Sequence, residues 1–189
     1  MMIDLWRKLR GDAERYQDLG GWHSNLGFYI GATHRIRVWA RESAHPILAL
    51  PLRLQARLAN TLWRNLWGVN ISDHAKIERG LCLIHPREVW IGPSTIGKNL
   101  LIFQGVTLGS NASTCDFPTV GDNVDIYTGA RILGPVTIGN DAKVGANCVV
   151  TRNVEPGATV VTAPSRVIPP SLVAAFGPRH DGKRSSPRG

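Results

Sequence analysis

The chain has 189 residues, 43% of them hydrophobic, which suffices for one domain with a core plus an appendage, and its formal net charge is +8. The charge is uneven: residues 1–70 carry ten Lys/Arg against five Asp/Glu, residues 71–177 eight against eight, and residues 178–189 four against one. No recognition motif or aromatic interleaving accompanies the basic residues, no run approaches the ~18 apolar residues of a membrane span, and the first residues lack a signal-peptide core; these observations set aside nucleic acid, a membrane-spanning chain and an exported one.

Residues 2–19 read as a short amphipathic helix with Ile3, Leu5, Trp6 and Leu9 as its apolar stripe and Gly20-Gly21 as its stop. Residues 24–43 read as a second helix, in which His34 lies among Phe28, Ile30, Ile36, Val38 and Trp39 and reads as a packing or surface residue. Arg35, Arg37 and Arg41 interleave there, as on a solvated face or one that meets an anionic membrane. Pro46 opens a third helix to about Trp67, with Pro51 in its first turn or at a kink. Leu52, Leu54, Leu58, Leu62 and Leu66 face one way and Arg53, Arg57 and Arg64 another. We read this basic amphipathic helix as a cap over the structure that follows; the other roles open to it are packing between subunits and peripheral contact with a membrane.

From Ile71 a different period takes over. The series Ile71, Ile77, Leu83, Val89 slips by one residue to Trp90, Ile96, Ile102, Leu108, and after a break runs as Val120, Ile126, Ile132, Ile138, Val144, Val150. A period of six is neither the 3.6 of a helix nor the 2 of a half-buried strand; it predicts a parallel β-helix, a triangular coil with one inward aliphatic per face. Small or turn-forming residues occupy the corners, among them Gly121-Asp122, Ala130, Gly139 to Ala142 and Gly145 to Asn147. The slip predicts a bulged or tightened corner at Pro86 to Ile91, and chemistry is expected there because a regular corner needs none.

Residues 110–119 break the period and read as a polar loop thrown out from the coil, a usual place for substrate contacts. Val154 and Val160 continue the repeat loosely before Pro164, Pro169 and Pro170 end it, and residues 178–189 read as disordered. The expected division is a helical region 1–69, a β-helix 70–168 with its loop at 110–119, and an extension 169–189 with a disordered basic tail. Cys82, Cys115 and Cys148 are an odd set without metal-type spacing, which fits a reducing cytoplasm, and Cys148 reads as a small buried repeat residue.

Gly-Leu-Cys-Leu-Ile-His-Pro at 80–86 and Gln-Gly-Val-Thr-Leu-Gly at 104–109 resemble the serine acetyltransferase branch of the hexapeptide acyltransferases. Residues 138–150, residues 163–168 and the helical stretches 9–16 and 34–39 are similar to the same branch, so the resemblance covers roughly 9–168. It implies a left-handed parallel β-helix, a hand that comes from the resemblance alone, because the ordinary crossover rule would give the opposite. It further implies a homotrimer with acetyl-CoA between adjacent subunits' coils, no metal, and His85 as the base that deprotonates the acceptor. An alcohol near pKa 15 cannot attack a thioester at neutral pH unaided, and a positioned imidazole, worth ~10²–10⁴-fold, can take its proton during attack. Read from the chain alone, His85 is either such a base or a structural side chain capping backbone groups. A zinc site on the same coil would need three ligands, and the coils supply His74 and His85.

Where the family has Asp-His and Arg-His-Pro, this chain has Ile84-His85 and Asp116-Phe117-Pro118, so the residues that grip an amino-acid acceptor are changed. Asn70 stands in place of an aspartate that orients the histidine. The resemblance implies CoA contacts at Gly109, Ser110, Ala130, Ala146 and Asn147, with Arg152 or Arg166 near the nucleotide phosphates, and acceptor contacts at Asp116 and Phe117. The expected function is acetyl-CoA-dependent O-acetylation of a sugar or polysaccharide-precursor hydroxyl, the type found in polysaccharide-biosynthesis clusters, with the acceptor a small molecule or a glycan. A serine acetyltransferase with an altered pocket and an inactive β-helical scaffold are the alternatives.

Overall fold

The computed structural model describes residues 2–43, 46–111, 115–164, 167 and 169. Three helices, α1 (Met2–Glu14), α2 (Leu26–Glu42) and α3 (Pro46–Trp67), precede a run of short strands. Helix α1 stops before the expected residue 19: Gln17–Leu19 form a 3-10 turn, and the left-handed Gly20 and Gly21 redirect the chain into a second turn at Trp22–Ser24.

The strands form three parallel sheets, the faces of a prism. One holds β1 (Asn70–Ile71), β4 (Trp90–Ile91), β7 (Thr107–Gly109), β10 (Arg131–Leu133) and β13 (Val149–Val150). The second holds β2 (Lys76–Ile77), β5 (Thr95–Ile96), β8 (Thr119–Val120) and β11 (Thr137–Ile138). The third holds β3 (Cys82–Leu83), β6 (Leu101–Ile102), β9 (Asp125–Ile126), β12 (Lys143–Val144) and β14 (Thr159–Val160). In the regular part Val120 stacks under Ile138, Ile126 under Val144 and Ile132 under Val150, eighteen residues per coil, as three hexapeptides require. The parallel pairing of short strands is the β-helix that the sixfold series predicts.

Each regular turn buries two side chains: the strand aliphatic and, four residues on, a corner residue such as Val124, Ala130, Val136, Ala142 or Cys148, all 5% exposed or less. Burial of each Val, Leu or Ile is worth about 1.5–3 kcal/mol, and the continuous column from Ile71 to Val150 is the core of the protein. Cys148 is buried as expected, with its thiol against the Val160 carbonyl. At the corner between the second and third sheets, Asn99, Asn123 and Asp141 take left-handed backbone angles, and their side chains bond upward, Asn99 Nδ2 to Asn123 Oδ1 at 2.8 Å and Asn123 Nδ2 to Asp141 Oδ1 at 3.0 Å. Asn and Asp accept these angles at small cost and can bond locally, which is why the repeat places them there.

The slip differs from the sequence expectation in a specific way. Trp90 points outward at 51% exposure and Ile91 is the inward residue, pairing with Ile71 below and Leu108 above. Six residues, 84–89, join β3 to β4, against four at the corresponding corners 103–106, 127–130 and 145–148. The next corner, Gly92–Ser94, has only three, and Ser94 fills its inward position. Two extra residues and one missing residue produce the net slip of one.

Helices α1 and α2 close the open end of the coil through polar contacts. The β3 strand edges the third sheet, and Tyr16 Oη accepts the Leu83 N–H at 2.8 Å. Asp12 accepts hydrogen bonds from the Gly80 and Leu81 N–H groups at 2.8 and 2.9 Å and from Nε and Nη2 of Arg35, each at 3.1 Å. Arg35 in turn donates to the Ile77 and Glu78 carbonyls. Gly27 lets α2 lie directly on the strand, since a Cβ there would collide with the Leu83 carbonyl. These contacts satisfy edge groups that would otherwise be buried unpaired.

The expected capping role of α3's leucine face is not what the structure shows. Helix α3 packs on α2 and meets the core through Trp63 and Trp67, whereas Leu52, Leu54, Leu58, Leu62 and Leu66 are all exposed. A hydrophobic stripe faces inward only when the neighbouring surface has room for it, and here α2 lies on the opposite flank.

His34 is a packing residue, 3% exposed, with Nδ1 unpartnered among the described residues. Burial, reinforced by the charges of Arg35 and Arg37, pushes its pKa from 6.5 down to about 3. Between those values the unfolded chain binds a proton that the folded chain does not. Stability is therefore expected to fall as pH drops below about 6.5, by up to about 1.4 kcal/mol per pH unit. Urea unfolding at a series of pH values will show this slope, and the His34→Leu variant should flatten it; an unaltered slope in the variant would assign the acid sensitivity to another group.

Candidate active site

The corner between the third and first sheets carries a column of candidate side chains. At its base is the long connection 84–89, where His85 and Glu88 have φ of 48° and 54° and Pro86 is buried. Two left-handed non-glycine residues within four positions are strained backbone of the kind found at functional sites. The His85 side chain is exposed, and no hydrogen bond from a described residue fixes its imidazole. Above it, Phe103 and Tyr127 occupy equivalent positions in successive coils with rings stacked at 5.4 Å and 19°. Gln104 and Thr128 follow them, and the left-handed Gly105, Gly129 and Asn147 complete the corner. A groove of about 550 Å³ runs along this edge, lined by Arg87, Gln104, Thr128, Arg131 and Asn147 among others. The Gln104 Oε1 is buried without a hydrogen-bond partner among the described residues, an acceptor poised for a donor.

The expected site residues fall on two edges of the prism. His85, Ala146 and Asn147 belong to this corner, and Asn70 begins β1 in the coil below, although no hydrogen bond joins its amide to His85. Ala130 is also at this corner, but it is fully buried and its backbone N–H and carbonyl bond Tyr127 and Thr107, so it belongs to the core and cannot offer a side chain to CoA. Gly109, Ser110 and Arg152 lie where the first-sheet strands end, across that sheet from His85. So does the loop 110–118, whose last residue is followed directly by β8. Asp116 is exposed, and the Phe117 ring sits over Gly92, where a Cβ would collide with it. Arg166 lies outside the described residues, as do 112–114 of the loop and the tail 178–189. Within one chain the two edges cannot meet, because a strand of the first sheet separates them.

Gln104, Thr128, Arg87 and Arg131 were not singled out in the sequence. Gln104 and Thr128 recur at one position of successive coils, immediately after an aromatic, and that vertical alignment is the signal that could have found them. His74 sits exposed at the first-to-second-sheet corner, away from His85, and among the described residues no three His, Cys, Asp or Glu side chains group to hold a metal.

Three parallel sheets of stacked sixfold repeats define a hexapeptide-repeat coil as the class, and the family model for bacterial transferase hexapeptides (six repeats) matches residues 117–152. Serine acetyltransferase of Mycobacterium tuberculosis is 40% identical over 144 residues, 75% of this chain and 63% of that protein, and the Bacillus subtilis enzyme is 37% identical over 134 residues. Among solved structures, the soybean serine acetyltransferase apoenzyme aligns with a TM-score of 0.70 at 31% identity, over 87% of this chain and 69% of that one. Neisseria gonorrhoeae serine acetyltransferase in complex with serine aligns at 0.66 and 28%, over 86% and 68%. The chain belongs to the serine acetyltransferase branch of the hexapeptide-repeat acyltransferases, and its coil is a left-handed parallel β-helix behind N-terminal helices. It spans 57% to 63% of the length of the curated relatives with which it was compared.

Proposed function

We propose that the protein is an acetyl-CoA-dependent O-acetyltransferase in which His85 is the general base, and that serine is its acceptor. The observation that carries this reading is His85 itself, an exposed imidazole on a strained corner, beside a groove with an unsatisfied acceptor at Gln104, in a chain 40% identical to a serine acetyltransferase. The groove fits an extended co-substrate: it is open along the coil axis, its floor of Gly105 and Gly129 lets a ligand approach the backbone, and Arg87 and Arg131 supply positive charge for phosphates. The hydroxyl oxygen attacks the thioester carbonyl as the imidazole removes its proton; the C–S bond then breaks and the imidazolium returns the proton to the departing thiolate. A backbone N–H of a neighbouring coil would stabilise the oxyanion.

Two edges of the prism are needed, so the reading includes a homotrimer. The His85 corner of one copy would face the Gly109, Ser110 and Arg152 edge of the next, with Asp116 and Phe117 closing the acceptor end. The sugar acceptor expected from Ile84 and Asp116-Phe117 finds no support among relatives, whose names specify serine. Those same residues imply that serine is held by contacts other than the family's Asp and Arg.

An acceptor screen with acetyl-CoA, reading release of free thiol, is expected to show turnover with serine and background rates with sugars and sugar nucleotides. Turnover with a sugar and none with serine would move the acceptor. Absence of any thermal shift at millimolar acetyl-CoA would leave a β-helical scaffold instead.

A further inference from the structure

Helix α3 presents two features that acyl transfer does not use. The first is its outward flank, where Leu50, Leu54, Leu58, Leu62 and Leu66 are 51%, 56%, 64%, 46% and 60% exposed. The second is a cleft of about 130 Å³ between α2 and α3 lined by Arg37, Arg41, Arg53 and Arg57 and by Asp73. Asp73 pairs with Arg37, which leaves three more guanidinium groups around the cleft than carboxylates. Arg53 and Arg57 alternate with Leu54 and Leu58 along the helix, so the basic cleft borders the leucine stripe. No Asp or Glu occurs from Ser43 to Ser72.

We propose that α3 docks the protein on an anionic phospholipid surface, with the leucine stripe at the acyl-chain boundary and the arginine cleft on the headgroup phosphates. Apolar area and positive charge on adjoining flanks of one helix are what binding in a membrane interface requires. Among the described residues no helix is long and apolar enough to cross a membrane, so the contact is peripheral. A second copy of the same helix is disfavoured as occupant, because it would bring arginines to arginines and no carboxylate. A surface of phosphodiesters supplies the missing negative charge.

The test is co-sedimentation of the full chain with vesicles of phosphatidylcholine alone and of phosphatidylcholine mixed with phosphatidylglycerol. Binding is expected only to the anionic vesicles and is expected to weaken with added salt. Arg53→Gln with Arg57→Gln should weaken it by about 25-fold, at roughly fivefold per arginine. Leu54→Ser with Leu58→Ser should abolish it with the charges intact; both leucines are exposed, so helical circular dichroism should not change. Equal binding to neutral vesicles, no binding to either, or a leucine variant whose solution mass falls to that of a smaller oligomer would overturn the proposal, the last by showing that another copy covers this face. The readout is vesicle binding, so its failure leaves the catalytic reading untouched.

Discussion

The His85→Asn variant is expected to lose acetyl transfer by about 10²–10⁴-fold while its fold and solution mass stay those of the parent. Asparagine is the informative substitution because His85 stands at φ 48°, a conformation that asparagine adopts at small cost, and because a carboxamide cannot take a proton at neutral pH. His85→Ala should lose the same activity with stability close to the parent's, since no hydrogen bond from a described residue holds the imidazole. Steady-state kinetics with saturating acetyl-CoA, paired with urea unfolding, separates these effects. Turnover near the parent rate in the asparagine variant would sink the general-base assignment and return His85 to a structural role.

The second large effect is expected in stability. Asp12 and Arg35 have side chains only 3% and 4% exposed, and Asp12 also receives the Gly80 and Leu81 N–H groups. The Asp12→Ala variant leaves a buried guanidinium without its anion and two backbone donors without acceptors, which should cost about 3–5 kcal/mol. Removing the cation as well, in Asp12→Ala with Arg35→Met, should recover part of that loss, because an unpaired buried charge is worse than none. Urea midpoints of the two variants decide the matter. A loss below about 1 kcal/mol for Asp12→Ala, or no recovery in the double variant, would show that the helices are held to the coil mainly by apolar packing.

The coil was legible because its rule is one-dimensional. A branched aliphatic every six residues from Val120 to Val150 can be buried in register only if the chain turns a corner each time, and small or left-handed residues at Ala130, Asn123 and Asp141 agree with it. Trp90 was harder: it occupies the expected place in the period but lies outside, because two residues are inserted in one corner and one removed from the next. A period counted along the chain registers only the sum. The leucines of α3 misled for a related reason: a helix can show an apolar stripe without showing which surface, if any, will receive it.

By itself, the sequence determined the repeat, the β-helix it implies, the resemblance to serine acetyltransferases and the singling out of His85, since each is carried by spacing or by short contiguous motifs. Only the tertiary structure decided that Ile91 and not Trp90 enters the core, that Asp12, Tyr16 and Arg35 seal the first coil, and that Gln104 and Thr128 stand in the His85 column. It also divided the expected site between two edges of the prism. These outcomes depend on which residues lie one coil apart, and that distance is set by corner lengths, which range from three residues at 92–94 to nine at 110–118.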